Sequence, residues 1–255
     1  MRARHRRGTG HAVCPRGGTV VLVARTRDKL EHLAQTLVDQ YSIEVSVEPL
    51  DLSKRTAAKN LASRLGAQGV EIDILVNNAG VLEHGNFVDV GATAHQRLID
   101  LNISGLTGML DHFLPGMVAR GGGRVLNVAS VAAFQPVPSL ATYAATKAYV
   151  LSLSEALSEE LRGSGVTVTA LCPGITATNM VSAAQRDSPG LNRIPEFVVG
   201  DVDEVAAEGS RACLRGDVIR VPGAVNRAAT VAGRAVPRWL VRRVTGVFGR
   251  STARG

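Results

Sequence analysis

Cysteine is scarce in this chain: Cys14, Cys172 and Cys213 are the only three in 255 residues, an odd number with no metal-ligand spacing. That excludes a disulfide framework and suits a reducing cytosol, where we expect the protein to reside. The six histidines, at positions 5, 11, 32, 84, 95 and 112, form no His-x-x-x-His pair, so no metal site is expected. No stretch approaches the run of about eighteen apolar residues that a membrane span needs. The first residues also lack the apolar segment of a secretory signal. Acidic residues are missing from both ends: residues 1–17 hold five arginines and residues 218–255 hold eight, with no Asp or Glu in either stretch.

The charge therefore divides. All 22 acids lie between the two ends with sixteen of the 29 basic residues, so the body carries a net charge of −6 although the whole chain is +7. A nucleic-acid binder would carry its positive charge on the folded domain, and nucleic acid is not an expected partner. A chain of 255 residues can bury a full core as one domain.

Apolar periodicity gives alternating strands and helices. Strands are expected at Thr19–Ala24, Glu44–Leu50, Ile72–Val76, Arg124–Val128, Val166–Leu171 and Val218–Val221. Helices are expected at Asp28–Tyr41, Lys54–Leu65, Gln96–Arg120 and from Tyr143 to about Leu161, and Asp201-x-x-Glu204 reads as a capping box opening a helix to about Arg215. This alternation argues an α/β fold, a doubly wound, Rossmann-like parallel sheet in three α/β/α layers. The division we expect is a basic segment at 1–18, the α/β domain at 19–222 and a basic amphipathic extension at 223–255.

Chemistry enters at Tyr143 and Lys147, four residues apart and so on one face of a helix, with Ser130 thirteen residues before the tyrosine. A free phenol titrates near 10 and exchanges protons poorly near neutrality; a neighbouring ammonium favours the phenolate and should lower that value. The Ser130 hydroxyl can hold a carbonyl or alcohol oxygen beside the phenol. Proton transfer alone leaves carbon unchanged, so such a set needs a hydride carrier such as a nicotinamide.

Two further segments flank the trio: Asp73-Ile-Leu-Val-Asn-Asn78-Ala79-Gly80, a strand ending in a polar turn, and Val166-Thr-Val-Thr-Ala-Leu-Cys-Pro173-Gly174-Ile175-Thr176-Ala177-Thr178, a strand entering a Pro-Gly turn. With these in order, the chain resembles the short-chain dehydrogenase/reductase family over roughly residues 19–222. The resemblance implies a catalytic set of Asn102, Ser130, Tyr143 and Lys147, with Asn102 helping to hold a proton-relay water near the lysine. It also implies cofactor contacts from Asp51 and Leu52 at the adenine edge, and from Asn78, Ala79 and Gly80 as a ribose wall. Tyr143 and Lys147 would touch the cofactor too. So would the turn at Pro173 and Gly174, with Ile175 and Thr178 at the nicotinamide carboxamide.

Family members begin with a strand and a Thr-Gly-x-x-x-Gly-x-Gly turn whose backbone approaches the cofactor's pyrophosphate. Only eighteen residues precede Thr19, too few for that strand, turn and crossover helix, and Gly8-Thr-Gly10 is a poor remnant. The first strand and its turn are thus expected to be missing, which would open the centre of the sheet in the family's 3-2-1-4-5-6-7 order. The abrupt change at Arg16-Gly-Gly-Thr-Val leads us to expect a misread start, through frameshift or misplaced initiation, with a real, damaged paralogue as the alternative.

At the end of the second strand, Ala24 stands where an acidic residue would select NAD, and Arg25 and Arg27 follow. A guanidinium suits a 2′-phosphate, so NADP(H) is favoured, with NAD possible and a solvated helix start as the plain alternative for the arginines. Phe134, Pro136, Val137, Pro138 and Leu140 between Ser130 and Tyr143, with a variable lid at 180–199, suggest an apolar pocket for a hydrophobic ketone, aldehyde or acyl-type carbonyl; core packing explains them equally. From Pro237 onward, Trp239, Leu240, Val244, Val247 and Phe248 with Arg238, Arg242 and Arg243 read as a basic amphipathic helix. It could touch an anionic membrane surface peripherally, although packing on its own domain is the commoner fate. The expected partners are a small-molecule substrate and, from the family, a second copy in a homodimer or homotetramer. The competing readings are a catalytically silent nucleotide-binding or scaffold protein and a surface-association protein led by its basic arms.

Overall fold

A computed structural model of the chain describes residues 2–4, 18–174 and 200–235. One seven-stranded sheet organises them in the order β3-β2-β1-β4-β5-β6-β7. Its strands are β1 (Arg2–Arg4), β2 (Thr19–Ala24), β3 (Val45–Pro49), β4 (Glu71–Asn77), β5 (Gly123–Val128), β6 (Val166–Leu171) and β7 (Ile219–Arg220). All neighbouring pairs are parallel except those of β1. The helices are α1 (Arg27–Tyr41), α2 (Ala57–Ala67), α3 (Ala92–Ile99), α4 (Leu106–Ala119), α5 (Ala141–Glu160), α6 (Val202–Arg215) and α7 (Ala224–Ala235). None of the described helices is long and apolar enough to cross a membrane.

The strands alternate their side chains between two cores, as a period of two requires. Val21, Leu75, Val125, Val168 and Ala170 point to the larger one, which Leu61 and Leu65 of α2, Met109, Phe113 and Met117 of α4, and Val150 and Leu151 of α5 complete. Ile74, Leu126 and Leu171 point to the other face and meet Cys213 of α6. The expected capping residue holds at α6, where the Asp201 carboxylate accepts from the Asp203 and Glu204 N–H groups, each at 2.9 Å.

The single helix expected at Gln96–Arg120 is two helices joined by a π-helical turn, Asp100–Gly105. Periodicity alone cannot show such a turn, because one inserted residue rotates the apolar stripe without ending it. A close approach accompanies it: a methyl group on Gly105 would lie 2.5 Å from the Leu52 carbonyl oxygen, so only glycine lets the chain after β3 pass there.

The expected gap at the centre of the sheet is closed at one end only. Arg2–Arg4 occupy the slot between β2 and β4, but antiparallel to both, pairing Arg2 with Val20 and Ile74 and Arg4 with Glu71. Both ends of the intervening stretch, Arg4 and Gly18, therefore sit at the amino edge of the parallel strands. At the carboxyl edge, Val23 of β2 and Val76 of β4 have no strand between them among the described residues. The physical reason is length: three residues rise about 10 Å, enough for half of a six-residue neighbour.

A buried polar chain ties α5 to the sheet. Asn77 Nδ2 donates to Asn127 Oδ1 at 2.9 Å, Asn127 Nδ2 donates to Ser154 Oγ at 2.9 Å, and Ser154 Oγ donates to the Val150 carbonyl at 2.7 Å. Asn127 and Ser154 are fully buried. Asn127→Leu should cost about 2–4 kcal/mol, because it strands donor and acceptor groups on both neighbours in a water-free site. Urea denaturation with an unchanged slope is the measurement that checks it.

Candidate active site

Three strands deliver the reactive groups at their carboxyl ends, and α5 lies across them. Ser130 follows β5 and caps a short 3-10 turn, Val131–Phe134, its Oγ accepting from the Ala132 N–H at 3.1 Å. Pro173 follows β6, and its carbonyl accepts from the Val131 N–H at 2.9 Å, which locks the Pro-Gly turn to the residue beside Ser130. Tyr143 and Lys147 sit one turn apart on α5, on the face that also carries Val150 and Ser154. Ser130 and Lys147 are buried, and the Tyr143 ring is half-buried.

Lys147 Nζ donates to the Val128 carbonyl at 2.8 Å and stands 5.8 Å from the centre of the Tyr143 ring. Burial pushes its pKa down from 10.5 to about 8, partly offset by the nearby Cys172. The phenol behaves oppositely to the sequence expectation. Burial raises the Tyr143 pKa above its ordinary value of 10, and the Ser130 side chain only partly reverses this. Lys147 does not lower it here, since its ammonium is turned to the Val128 carbonyl and is itself desolvated. Cys172 is inert, its thiol pushed up to about 12 by burial.

Asn102 enters the site from the π-helical turn, fully buried. Its Oδ1 accepts from the Val81 N–H at 2.9 Å, while Nδ2 donates to the Val81 carbonyl at 3.0 Å and to Thr146 Oγ1 at 3.1 Å. Both amide protons are thus spent inside the protein. The side chain fixes residue 81 and α5 in place.

The adenosine-side residues gather separately. Arg25 is exposed at the end of β2, and its charge helps to lower the Asp51 pKa, whose main cause is the hydrogen bond from Ser53. Asp51 Oδ1 accepts from Ser53 Oγ at 2.7 Å and from the Ser53 N–H at 3.0 Å. Leu52 follows against the π turn. Arg27 is spent on Glu31 at 3.2 Å, so of the two arginines Arg25 alone has no ion pair among the described residues. Asn78 and Ala79 are exposed beyond β4, with Gly80 next to them. Ile175 and Thr178 lie outside the described residues, as do the Gly8–Gly10 turn, the lid at 180–199 and the amphipathic helix from Pro237. One contact was not foreseen at all: Asn226 of α7 lies on Gly174.

A nicotinamide dinucleotide fits one part of this edge and not another. Lys147 has three N–H donors, and only one meets an acceptor among the described residues, so the buried ammonium keeps two donors for a group such as a ribose diol. For the diphosphate there is no counterpart among the described residues, where β1 runs antiparallel to its neighbours and so leads away from the carboxyl edge.

Residues 6–189 match the short chain dehydrogenase family. The chain is 35% identical over 172 residues to hydroxysteroid dehydrogenase-like protein 1 of Gallus gallus, covering 67% of this chain and 52% of that protein. It is 33% identical over 193 residues to the very-long-chain 3-oxoacyl-CoA reductase of Anas platyrhynchos, covering 73% and 62%. It thus spans between about half and three-fifths of the length of these curated relatives. A solved short-chain dehydrogenase from Sphingobium yanoikuyae in complex with NADPH superposes with a TM-score of 0.75 at 34% identity, over 85% of this chain and 83% of that one.

Proposed function

Since the chain belongs to the short-chain dehydrogenase family, we propose that it is an NADP(H)-dependent oxidoreductase that reduces a hydrophobic ketone, aldehyde or acyl-type carbonyl. The observation that carries this reading is the convergence of Ser130, Tyr143 and a buried Lys147 ammonium beside the Pro-Gly turn. When bound, the cofactor would supply the hydride to the carbonyl carbon. Ser130 would hold the carbonyl oxygen, and Tyr143 would give that oxygen its proton. A phenol whose pKa stays above 10 is fully protonated at neutral pH, which suits the reducing direction. Lys147 would bind the ribose hydroxyls and place positive charge beside the developing alkoxide. Asn102 would keep α5 and Val81 in register.

NADP(H) is preferred in this reading because Ala24 offers no carboxylate and Arg25 has no ion pair among the described residues, which leaves it for a 2′-phosphate. The Sphingobium neighbour is an NADPH complex, and the names of the two curated relatives concern a hydroxysteroid, an apolar alcohol, and a very-long-chain oxoacyl thioester, which has an apolar carbonyl chain. A homodimer or homotetramer would pair through the outer faces of α4 and α5, where Val118 and Tyr149 are exposed.

The test is consumption of NADPH by the full chain with a panel of apolar ketones, aldehydes and 3-oxoacyl thioesters. NADPH should outperform NADH by about tenfold, the worth of one charge-assisted contact. Activity should also fall as pH rises through about 8, because the free enzyme then loses the Lys147 charge. No binding of either cofactor would sink the proposal. One observation favours a second reading, a nucleotide-binding or scaffold protein without turnover: the antiparallel β1 in place of a strand leading to a phosphate-binding turn. Binding of NADPH without consumption of any carbonyl would select it.

A further inference from the structure

Asn226 stands in the first turn of α7, just after Gly223, and packs against the Pro-Gly turn at Gly174. Its Nδ2 donates to the Pro222 carbonyl at 3.1 Å. A carbonyl can only accept, so this contact fixes which end of the amide is nitrogen. The other end, Oδ1, is an acceptor with no donor among the described residues. The amide lies directly on the Pro-Gly turn: a Cβ on Gly174 would be 2.5 Å from Nδ2 and 2.8 Å from Oδ1, so any residue but glycine would drive the two apart. Pro173, the other half of that turn, is bonded to the residue after Ser130.

We propose that Asn226 Oδ1 accepts a hydrogen bond from the carboxamide N–H of the nicotinamide, so that α7 helps to set which face of the ring meets the substrate. This rests on the NADP(H) reading above. The chemistry discriminates between the two molecules that share the cleft. The substrate's reacting group brings an oxygen, an acceptor, and needs donors such as Ser130 and Tyr143. The cofactor's carboxamide brings an N–H pair and needs an acceptor, and the Asn226 oxygen is one left unused at the turn adjoining Ser130. Glycine at 174 is then required for a reason beyond the turn itself, since it admits the amide against the turn.

The experiment is calorimetric binding of NADP⁺ and of its 3-acetylpyridine analogue, in which a methyl ketone replaces the carboxamide and leaves no N–H. Both are titrated into the full chain, Asn226→Leu and Asn226→Asp. Wild type should bind NADP⁺ more tightly than the analogue. Asn226→Leu should lose about five- to tenfold in affinity for NADP⁺, the worth of one neutral hydrogen bond, and less than about twofold for the analogue. Asn226→Asp gives up the donor to Pro222 but keeps an acceptor, and should still discriminate between the two. A purely structural Asn226 would instead weaken both ligands equally in both variants, and that result overturns the inference while leaving the NADP(H) reading intact. Failure of wild type to bind either ligand overturns both together.

Discussion

Tyr143→Phe is expected to reduce carbonyl turnover by about a hundredfold to ten-thousandfold, the range for loss of a positioned general acid. NADPH affinity should change by less than about threefold, since only one neutral hydroxyl is removed. The two effects separate because the ring itself stays: phenylalanine keeps the half-buried stacking surface on α5 and deletes only the oxygen that faces Ser130. Folding should be nearly neutral, as the lost interaction with Ser130 is offset by relief of a phenol held in a poorly solvated place. Steady-state consumption of NADPH with the best carbonyl of the panel, next to a binding isotherm, checks both halves. Turnover equal to wild type would remove Tyr143 from its role, and a parallel loss of cofactor binding would recast it as a binding residue.

Where the sequence was readable, one physical rule governed a whole stretch. Strands β2 to β6 each follow a stretch of five to seven residues in which apolar side chains recur, bounded by Gly, Pro or polar turns, and their observed limits lie close to those expected. The Tyr143 and Lys147 pair was readable because helical spacing alone decides a shared face. Long-range events were not. The Asn102 amide is spent on Val81 and Thr146, partners 21 and 44 residues away that no local pattern announces. The phenol's pKa lies opposite to expectation because burial outweighs the hydrogen bond from Ser130, while the Lys147 ammonium is turned to the Val128 carbonyl. Asn226 escaped notice for the same reason: its partner Gly174 lies in another segment, and an asparagine near a helix start ordinarily reads as a cap. At the amino end, only the fold shows that three residues enter the slot between β2 and β4 from the other direction, through pairing with Val20, Ile74 and Glu71.

Lys147→Met should abolish activity and at the same time stabilise the fold. A lysine that keeps its proton only to about pH 8 instead of 10.5 carries a burial cost of about 3 kcal/mol at neutral pH. Methionine has similar length and no charge, so it relieves that cost. Against this stands the Val128 carbonyl, which loses its donor at about 1–2 kcal/mol. The balance is a gain of about 1–2 kcal/mol, or about 3–5 °C in Tm for a domain of this size. The pH dependence identifies the cause. Between about pH 8 and 10.5 the unfolded chain holds a proton on Lys147 that the native protein has released, so the unfolded state binds more protons and wild-type stability rises with pH across that window. The stabilisation is complete above 10.5 and is lost as pH falls to about 8, whereas Lys147→Met has no such dependence. The advantage of the variant should therefore be largest at neutral pH and shrink towards pH 10. A lysine retained at this cost, in a fold that would be firmer without it, is the pattern of a residue kept for chemistry. If the methionine variant proved less stable than wild type at neutral pH, Lys147 would instead be a structural anchor.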